Sequence, residues 1–301
     1  MNQLISVILP TYNHASFLKN AISSVIEQEY KNWELIIVDN HSTDDTDEVI
    51  ISFNDKRIRY FKIHNNGVIA ASRNLGILNS NGDWIAFLDS DDLWYPNKLS
   101  IIVNEISKNT FDVICSNEYL NNKIINKKNK LSYGPFVKDF YRDLLVNGNK
   151  LSPSSTLVRA EFIKKKSILF NESIDFITVE DYDFWLNLAN SNARFFFIKN
   201  ILGEYIIHGN NNSTKLKLHR ENLVKLIRYH LFFVQKFTLK PEQTWKKILP
   251  KIQFMEFSQI LREENRYKAI KYYLYVIIKS PTYTLIFFNK YLFKKIHNIN
   301  F

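Results

Sequence analysis

With one cysteine in 301 residues, Cys115, the chain cannot form an internal disulfide. Its stability must come from buried apolar surface, and a reducing cytoplasm is its simplest setting. Cys115 lies in the run FDVICS and reads as a small buried hydrophobe. Glycine is also scarce, with seven residues, and no G-x-G-x-x-G or phosphate-loop pattern follows a strand-like run. That disfavours nicotinamide-dependent enzymes and phosphate-loop NTPases. No apolar run approaches the roughly 18 residues that a membrane-spanning helix needs; Tyr272 to Ile278 is far shorter and meets Lys279. The short stretch between Met1 and the strand-like run at Ile5 lacks a basic region and a long apolar segment, so export is not expected.

Acidic side chains are thin in one region only. The formal charge of +10 is uneven: residues 215–301 carry 18 Lys and Arg against 5 Glu, whereas residues 1–214 carry 22 basic and 25 acidic side chains. A basic tail suits nucleic acid or an anionic membrane surface, and charge alone does not choose between them.

What is present is a regular alternation. ISVILP, WELIIVD, RIRYFKI and WIAFLD are strand-like, and between them Ser16 to Glu29, Asp44 to Phe53 and Val68 to Leu78 have helical spacing. This predicts βαβ units around a mostly parallel sheet. In the first helix Phe17, Leu18, Ala21, Ile22, Val25 and Ile26 form one apolar face. After Phe111 the alternation gives way to a strand FDVICS, a hairpin around Asn121 and Asn122, and helices at Phe136 to Val146 and Val179 to Asn190. Strands are expected at Arg194 to Ile198 and Gly203 to Ile207. After Asn212 only helices are expected, broken near Pro241, Pro250 and Pro281.

The densest chemical signal is Asp89-Ser90-Asp91-Asp92 at the end of a hydrophobic strand. Three carboxylates within four residues repel one another. Either they hold Mn2+ or Mg2+ at a strand end, where α/β sheets bind ligands, or they form a solvated turn that caps the next helix. Two further loops belong to the same strand edge. Pro10-Thr11-Tyr12-Asn13 offers an aromatic ring to stack on a base, or a packing residue, and Asp39 offers an acceptor for a base N–H or ribose hydroxyl, or a turn former. Arg73, in the helix after Asn65-Asn66-Gly67, can meet a phosphate or make a surface ion pair.

SVILPTYN, ELIIVDNHSTDDT, GVIAASRNLGI and WIAFLDSDDLWYPNKL together resemble the successive signatures of family-2 glycosyltransferases. The resemblance is strong over residues 4 to about 100. It continues weakly through Thr178 to Leu186 and Tyr205 to His208. It implies a GT-A fold and an inverting transfer of one sugar from a nucleotide-diphospho-sugar, with a leaning to UDP, onto an acceptor hydroxyl of a glycan or lipid-linked molecule. By resemblance Asp181 is the general base, with Glu180 beside it. Pro10, Thr11, Tyr12, Asn13, Asp39, Arg73, Asp89 and Asp91 contact the donor, and Asp91, Asp92 and His208 are the metal-site residues. The chain departs from the family at Asn40 and His41, where many relatives have Asp and Gly, and at Asn187, where Arg is frequent. The Gln-x-x-Arg-Trp motif of processive synthases is absent.

The expectation is therefore an α/β protein: a mixed, mostly parallel sheet flanked by helices, with a Rossmann-like nucleotide-binding half. Its divisions are residues 1–110 for the nucleotide-sugar, 111–214 for the acceptor and 215–301 for a basic, Tyr-rich helical extension. In the extension Tyr267, Tyr272, Tyr273, Tyr275, Tyr283 and Tyr291 are interleaved with Lys268, Lys271, Lys279, Lys290, Lys294 and Lys295, a mixture suited to an anionic membrane surface. The setting expected is cytoplasmic, peripheral to the membrane, with no nucleic-acid partner. A nucleotidyltransferase and a non-enzymatic basic nucleic-acid- or membrane-binding protein are the competing readings.

Overall fold

A computed structural model describes residues 3–208, 216–262 and 266–279. The chain divides into two compact units, Met1–Tyr141 with Asn149–Thr214, and Arg142–Gly148 with Lys215–Phe301. Residues 142–148, expected from sequence to lie in the 111–214 division, fall in the second unit.

The alternation at the N-terminus becomes β1 (Ile5–Thr11), α1 (Ala15–Ile26), β2 (Trp33–Asp39), α2 (Thr46–Ile51), β3 (Ile58–Lys62), α3 (Ile69–Leu78) and β4 (Trp84–Phe87). β1 and β2 are buried along their whole length, as expected of parallel strands covered on both faces. The apolar face of α1 lands on them, with Leu18, Ala21, Ile22 and Val25 buried. Leu18, Ile22 and Val25 each contribute about 1.5–3 kcal/mol of burial free energy, and Ala21 less. At the crossing of α3 and β1, Gly76 stands where an added Cβ would lie 2.4 Å from the Ile8 side chain.

Further along come β5 (Leu93–Trp94), α4 (Lys98–Lys108), β6 (Val113–Asn122), β7 (Lys127–Leu131), α5 (Phe140–Asn147), β8 (Thr156–Arg159), α6 (Ala160–Lys166), α7 (Glu180–Asn190) and β9 (Phe195–Ile207). The nine strands form one sheet in the order β3-β2-β1-β4-β8-β6-β9-β5, with β7 paired to β6. The first four strands are parallel, whereas β8 runs antiparallel between β4 and β6.

Several expectations change here. The hairpin does not turn at Asn121 and Asn122. β6 runs through both of them, and the chain reverses over residues 123–126 before β7. The two strands expected at 194–198 and 203–207 are one strand, because two register shifts against β6 absorb the residues between them, and Asn117 Nδ2 donates to the Lys199 carbonyl (2.9 Å). β8 and α6 went unpredicted, since four strand residues leave no measurable period. The helix expected from Phe136 begins at Phe140.

The second unit contains α8 (Leu216–Tyr229), a π-helical turn at His230–Val234, α9 (Pro241–Arg262) and α10 (Arg266–Lys279). Pro241 opens α9, as its fixed φ favours. Pro250 does not break it, because Ile248 and Ile252 on either side are buried and hold the helix through the missing backbone bond. Pro281, Tyr283, Lys290, Tyr291, Lys294 and Lys295 lie outside the described residues.

Candidate active site

Because β1 to β4 are parallel, their carboxyl ends deliver their loops to one edge. Side chains tie these loops together. Asn13 donates its N–H to Ser42 Oγ (2.8 Å) and accepts from the Thr43 N–H (2.8 Å), while Asp44 accepts from the Ala15 N–H at the start of α1 (2.9 Å). Asn13 and His41 both adopt positive φ, a conformation asparagine tolerates better than most residues. Asn40 accepts from the Asn65 N–H (2.8 Å), and the His41 and His64 rings stack at 3.7 Å. Pro10 and Thr11 are buried in β1, and Tyr12 is half exposed at 52%. Asp39 is fully buried and accepts from the Ser42 N–H and hydroxyl and from the Tyr60 hydroxyl. The carboxylate therefore organises its own loop.

Arg73 is buried rather than on the surface. Its guanidinium donates to Glu180 Oε1 (2.7 Å) and to Asp89 Oδ1 (2.8 Å), and lies over the Phe170 ring. These flanking carboxylates hold its pKa above the ordinary arginine value despite burial. One cation thus joins the acidic loop after β4 to the first residue of α7.

The loop at 89–92 splits its acids among different partners. Asp91 Oδ2 lies 3.0 Å from His208 Nε2, and the Ser90 hydroxyl lies 2.8 Å from His14 Nδ1. The His208 ring packs on Phe17 at 4.1 Å. Asp92 is buried, accepting from the Ile206 N–H (3.0 Å) and the Ser154 hydroxyl (2.5 Å). Burial, reinforced by Asp91 and Asp89, pushes its carboxyl well above the usual range. Beneath it, Lys98 is fully buried, donates to the Ser154 carbonyl (2.8 Å) and sits over the Trp94 ring. Burial pulls the Lys98 ammonium down to about 8, with Glu118 opposing the shift.

At the start of α7, Asp181 is partly exposed and accepts from Asn149 Nδ2 (3.3 Å). Burial and the neighbouring Glu180 push its carboxyl up to about 7, while Arg73 holds it back. Glu180 Oε2 is buried without a hydrogen-bond partner. An acid that exchanges its proton near neutrality therefore stands next to an unsatisfied acceptor, which is the equipment for taking a proton from a bound hydroxyl.

Asp91 and His208 offer one carboxylate and one imidazole to a cation. The carboxylate would suit Mn2+ or Mg2+, and the imidazole beside it would suit Mn2+ better than Mg2+. Among the described residues no group of three or more His, Cys, Asp or Glu forms a metal cluster. Ser154, His14 and Asn149 join the site without having been anticipated. His14 directly follows the PTYN run and could have been flagged for that reason, whereas Ser154 and Asn149 gain their places only through the sheet order.

The model for glycosyl transferase family 2 matches residues 6–165. The chain is 32% identical to WfgD of Escherichia coli, a UDP-Glc:alpha-D-GlcNAc-diphosphoundecaprenol beta-1,3-glucosyltransferase, over 63% of this chain and 71% of that protein. It spans less than two thirds of several other curated relatives. Among solved structures it resembles S. aureus TarS 1-349 in complex with UDP-GlcNAc, with TM-score 0.61 and 18% identity, over 87% of this chain and 88% of that one. It also resembles the mannosyltransferase PcManGT from Pyrobaculum calidifontis in complex with GDP-Man and Mn2+, with TM-score 0.59 and 16% identity, over 96% and 79%. These two likenesses establish the GT-A-type fold.

Proposed function

The chain belongs to glycosyl transferase family 2, and on that premise we propose that it is an inverting transferase moving one sugar from a UDP-sugar to a hydroxyl of a lipid-linked or surface glycan. The observation that carries this reading is the Arg73 bridge. It couples the acidic loop at a nucleotide-type strand edge to Glu180 and Asp181. The leaving group and the acceptor call for two separate acidic stations, and two linked acidic groups support that reading.

In this reading Tyr12 offers its exposed ring to the base, the Asp39 loop frames base and ribose, and Asp89 orients the donor. Asp91 and His208 would hold Mn2+ or Mg2+, which when bound neutralises charge on the departing diphosphate. Asp92 supports that pair from the wall. Asp181 takes the proton of the acceptor hydroxyl as its oxygen forms a bond to the anomeric carbon. The bond from that carbon to the diphosphate oxygen breaks, and the electron pair leaves with UDP. A lipid-linked acceptor is supported by the name of WfgD, and a UDP donor by WfgD and by the ligand of TarS.

The same reading places the enzyme on the cytoplasmic face of a membrane. None of the described helices is long and apolar enough to cross one. α10, however, exposes Tyr267, Ile270, Leu274, Tyr275 and Ile278 along one side, with Lys268 and Lys271 among them, while Ala269 and Val276 on the opposite side are buried. Exposed rings and aliphatic residues among lysines suit an anionic interface.

The direct test measures nucleoside diphosphate release from a panel of nucleotide-sugars, with Mn2+ and with chelator. The expected result is metal-stimulated release of UDP from one or a few UDP-sugars. No release from any donor, in the presence of lipid extract as acceptor source, would overturn the assignment.

A further inference from the structure

We propose that Asp92 is a positioning residue whose carboxylate ties the acidic loop to the end of β9, so that Asp91 stands opposite His208. The inference rests on reading Asp91 and His208 as the pair that holds the cation.

β5 pairs with β9 through two residues only, Leu93 with Glu204 and Trp94 with Gly203. The two backbones approach so closely that a Cβ at Gly203 would lie 2.6 Å from the Leu93 carbonyl oxygen. β9 itself is fixed in register by β6, with which it pairs as far as Ile206 and Ile207, so the two-residue pairing with β5 leaves the acidic loop, not the strand, weakly placed. Where the backbone pairing stops, the Asp92 side chain continues it by accepting the Ile206 N–H (3.0 Å). Its second oxygen takes the Ser154 hydroxyl (2.5 Å), and that hydroxyl accepts the Asp89 N–H (3.1 Å). One carboxylate thereby closes three segments on each other: the acidic loop, the turn at Pro153–Ser155 and the end of β9.

The support below is equally specific. The Ser154 carbonyl accepts from Trp94 Nε1 (2.7 Å) and from Lys98 Nζ (2.8 Å), and Ser154, Asp92 and Lys98 are all buried. His208 follows Ile206 by two residues, a step of about 6.6 Å in extended chain. With Ile206 placed by β6, the 3.0 Å approach of His208 to Asp91 depends on how the acidic loop is held against Ile206. Asp92 has both oxygens committed to protein donors and acts on the cation through the loop that carries Asp91.

The test uses the full chain and titrates UDP by calorimetry, once with saturating Mn2+ and once with chelator, for Asp92→Asn, Ser154→Ala and Asp91→Asn, with melting temperatures recorded. Outer-shell changes of this kind cost about 10–100-fold in metal affinity. Both Asp92→Asn and Ser154→Ala are therefore expected to lose at least about tenfold of the Mn2+-dependent gain in UDP affinity, with the affinity in chelator unchanged. Ser154→Ala deletes a single hydroxyl and keeps the test open if Asp92→Asn does not fold. Loss in Asp92→Asn with full Mn2+ response in Ser154→Ala would make Asp92 a direct ligand and overturn the proposal, as would a full response in both. If Asp91→Asn retains the Mn2+ response, the Asp91–His208 reading itself falls, and this inference with it.

Discussion

In the loop at 89–92 each carboxylate has a partner of its own: Arg73 for Asp89, His208 for Asp91, and the Ser154 hydroxyl with the Ile206 N–H for Asp92. At the start of α7 the two acids are adjacent, share the influence of one guanidinium, and leave Asp181 pushed up to about 7. The same residue type is thus prepared for two jobs. In the proposed reading the loop supplies a fixed geometry for a cation, whereas the helix start supplies a carboxyl pushed up to about 7 to take a proton.

The largest effect should come from removing the exchangeable proton site. Asp181→Asn keeps shape and hydrogen bonding, so donor affinity should hold while kcat drops about 10²-fold or more. In the parent, kcat/KM should rise with pH through an apparent pKa of about 7. The base works ionised, and below that value its ionised fraction falls about tenfold per pH unit. Steady-state kinetics across pH 5 to 9 check both, and a flat profile in the parent would remove Asp181 from the role.

A smaller effect is expected where the stations are joined. Arg73→Lys retains the charge but cannot reach Glu180 and Asp89 together. Turnover should fall on the order of tenfold, below the roughly 10²-fold that an ångström of misplacement can cost. Unchanged kcat in Arg73→Lys would show that the two stations work without the bridge.

The two stations also differ in how well the sequence announces them. The acidic loop ends a strand whose hydrophobic run is unmistakable, and β1 to β4 pair in parallel through helices of ordinary length, so local periodicity suffices to place it. Arg73 was legible as a residue of interest but not as a buried bridge, because Glu180 lies 107 positions away. The same is true of Ser154. Its turn precedes a four-residue strand inserted between β4 and β6, and only that antiparallel insertion brings it under Asp92. Asp92 looked equivalent to Asp91 in sequence because nothing local distinguishes an acid that faces inward from its neighbour.

The smallest effect belongs to the basic extension, which should change without disturbing either station. One cation near an anionic surface is worth about 1 kcal/mol, or about fivefold in binding. Lys271→Ser should weaken flotation with anionic vesicles by about that factor and leave UDP affinity alone. Equal flotation of parent and variant, or none by the parent at low salt, would detach α10 from membrane binding.

β9 is the last strand among the described residues, and His208 directly follows it. The closures that complete the site span 107 residues from Arg73 to Glu180, 114 from Asp92 to Ile206 and 117 from Asp91 to His208. A ribosome releases the whole parallel half, acids included, long before the partners of those acids exist. Contacts this distant in sequence are slow to form, since chain closure must precede any gain from them. The acidic loop therefore acquires its histidine only when β9 is complete, and the cation affinity proposed for that pair would belong to the finished domain and be absent from every shorter nascent chain.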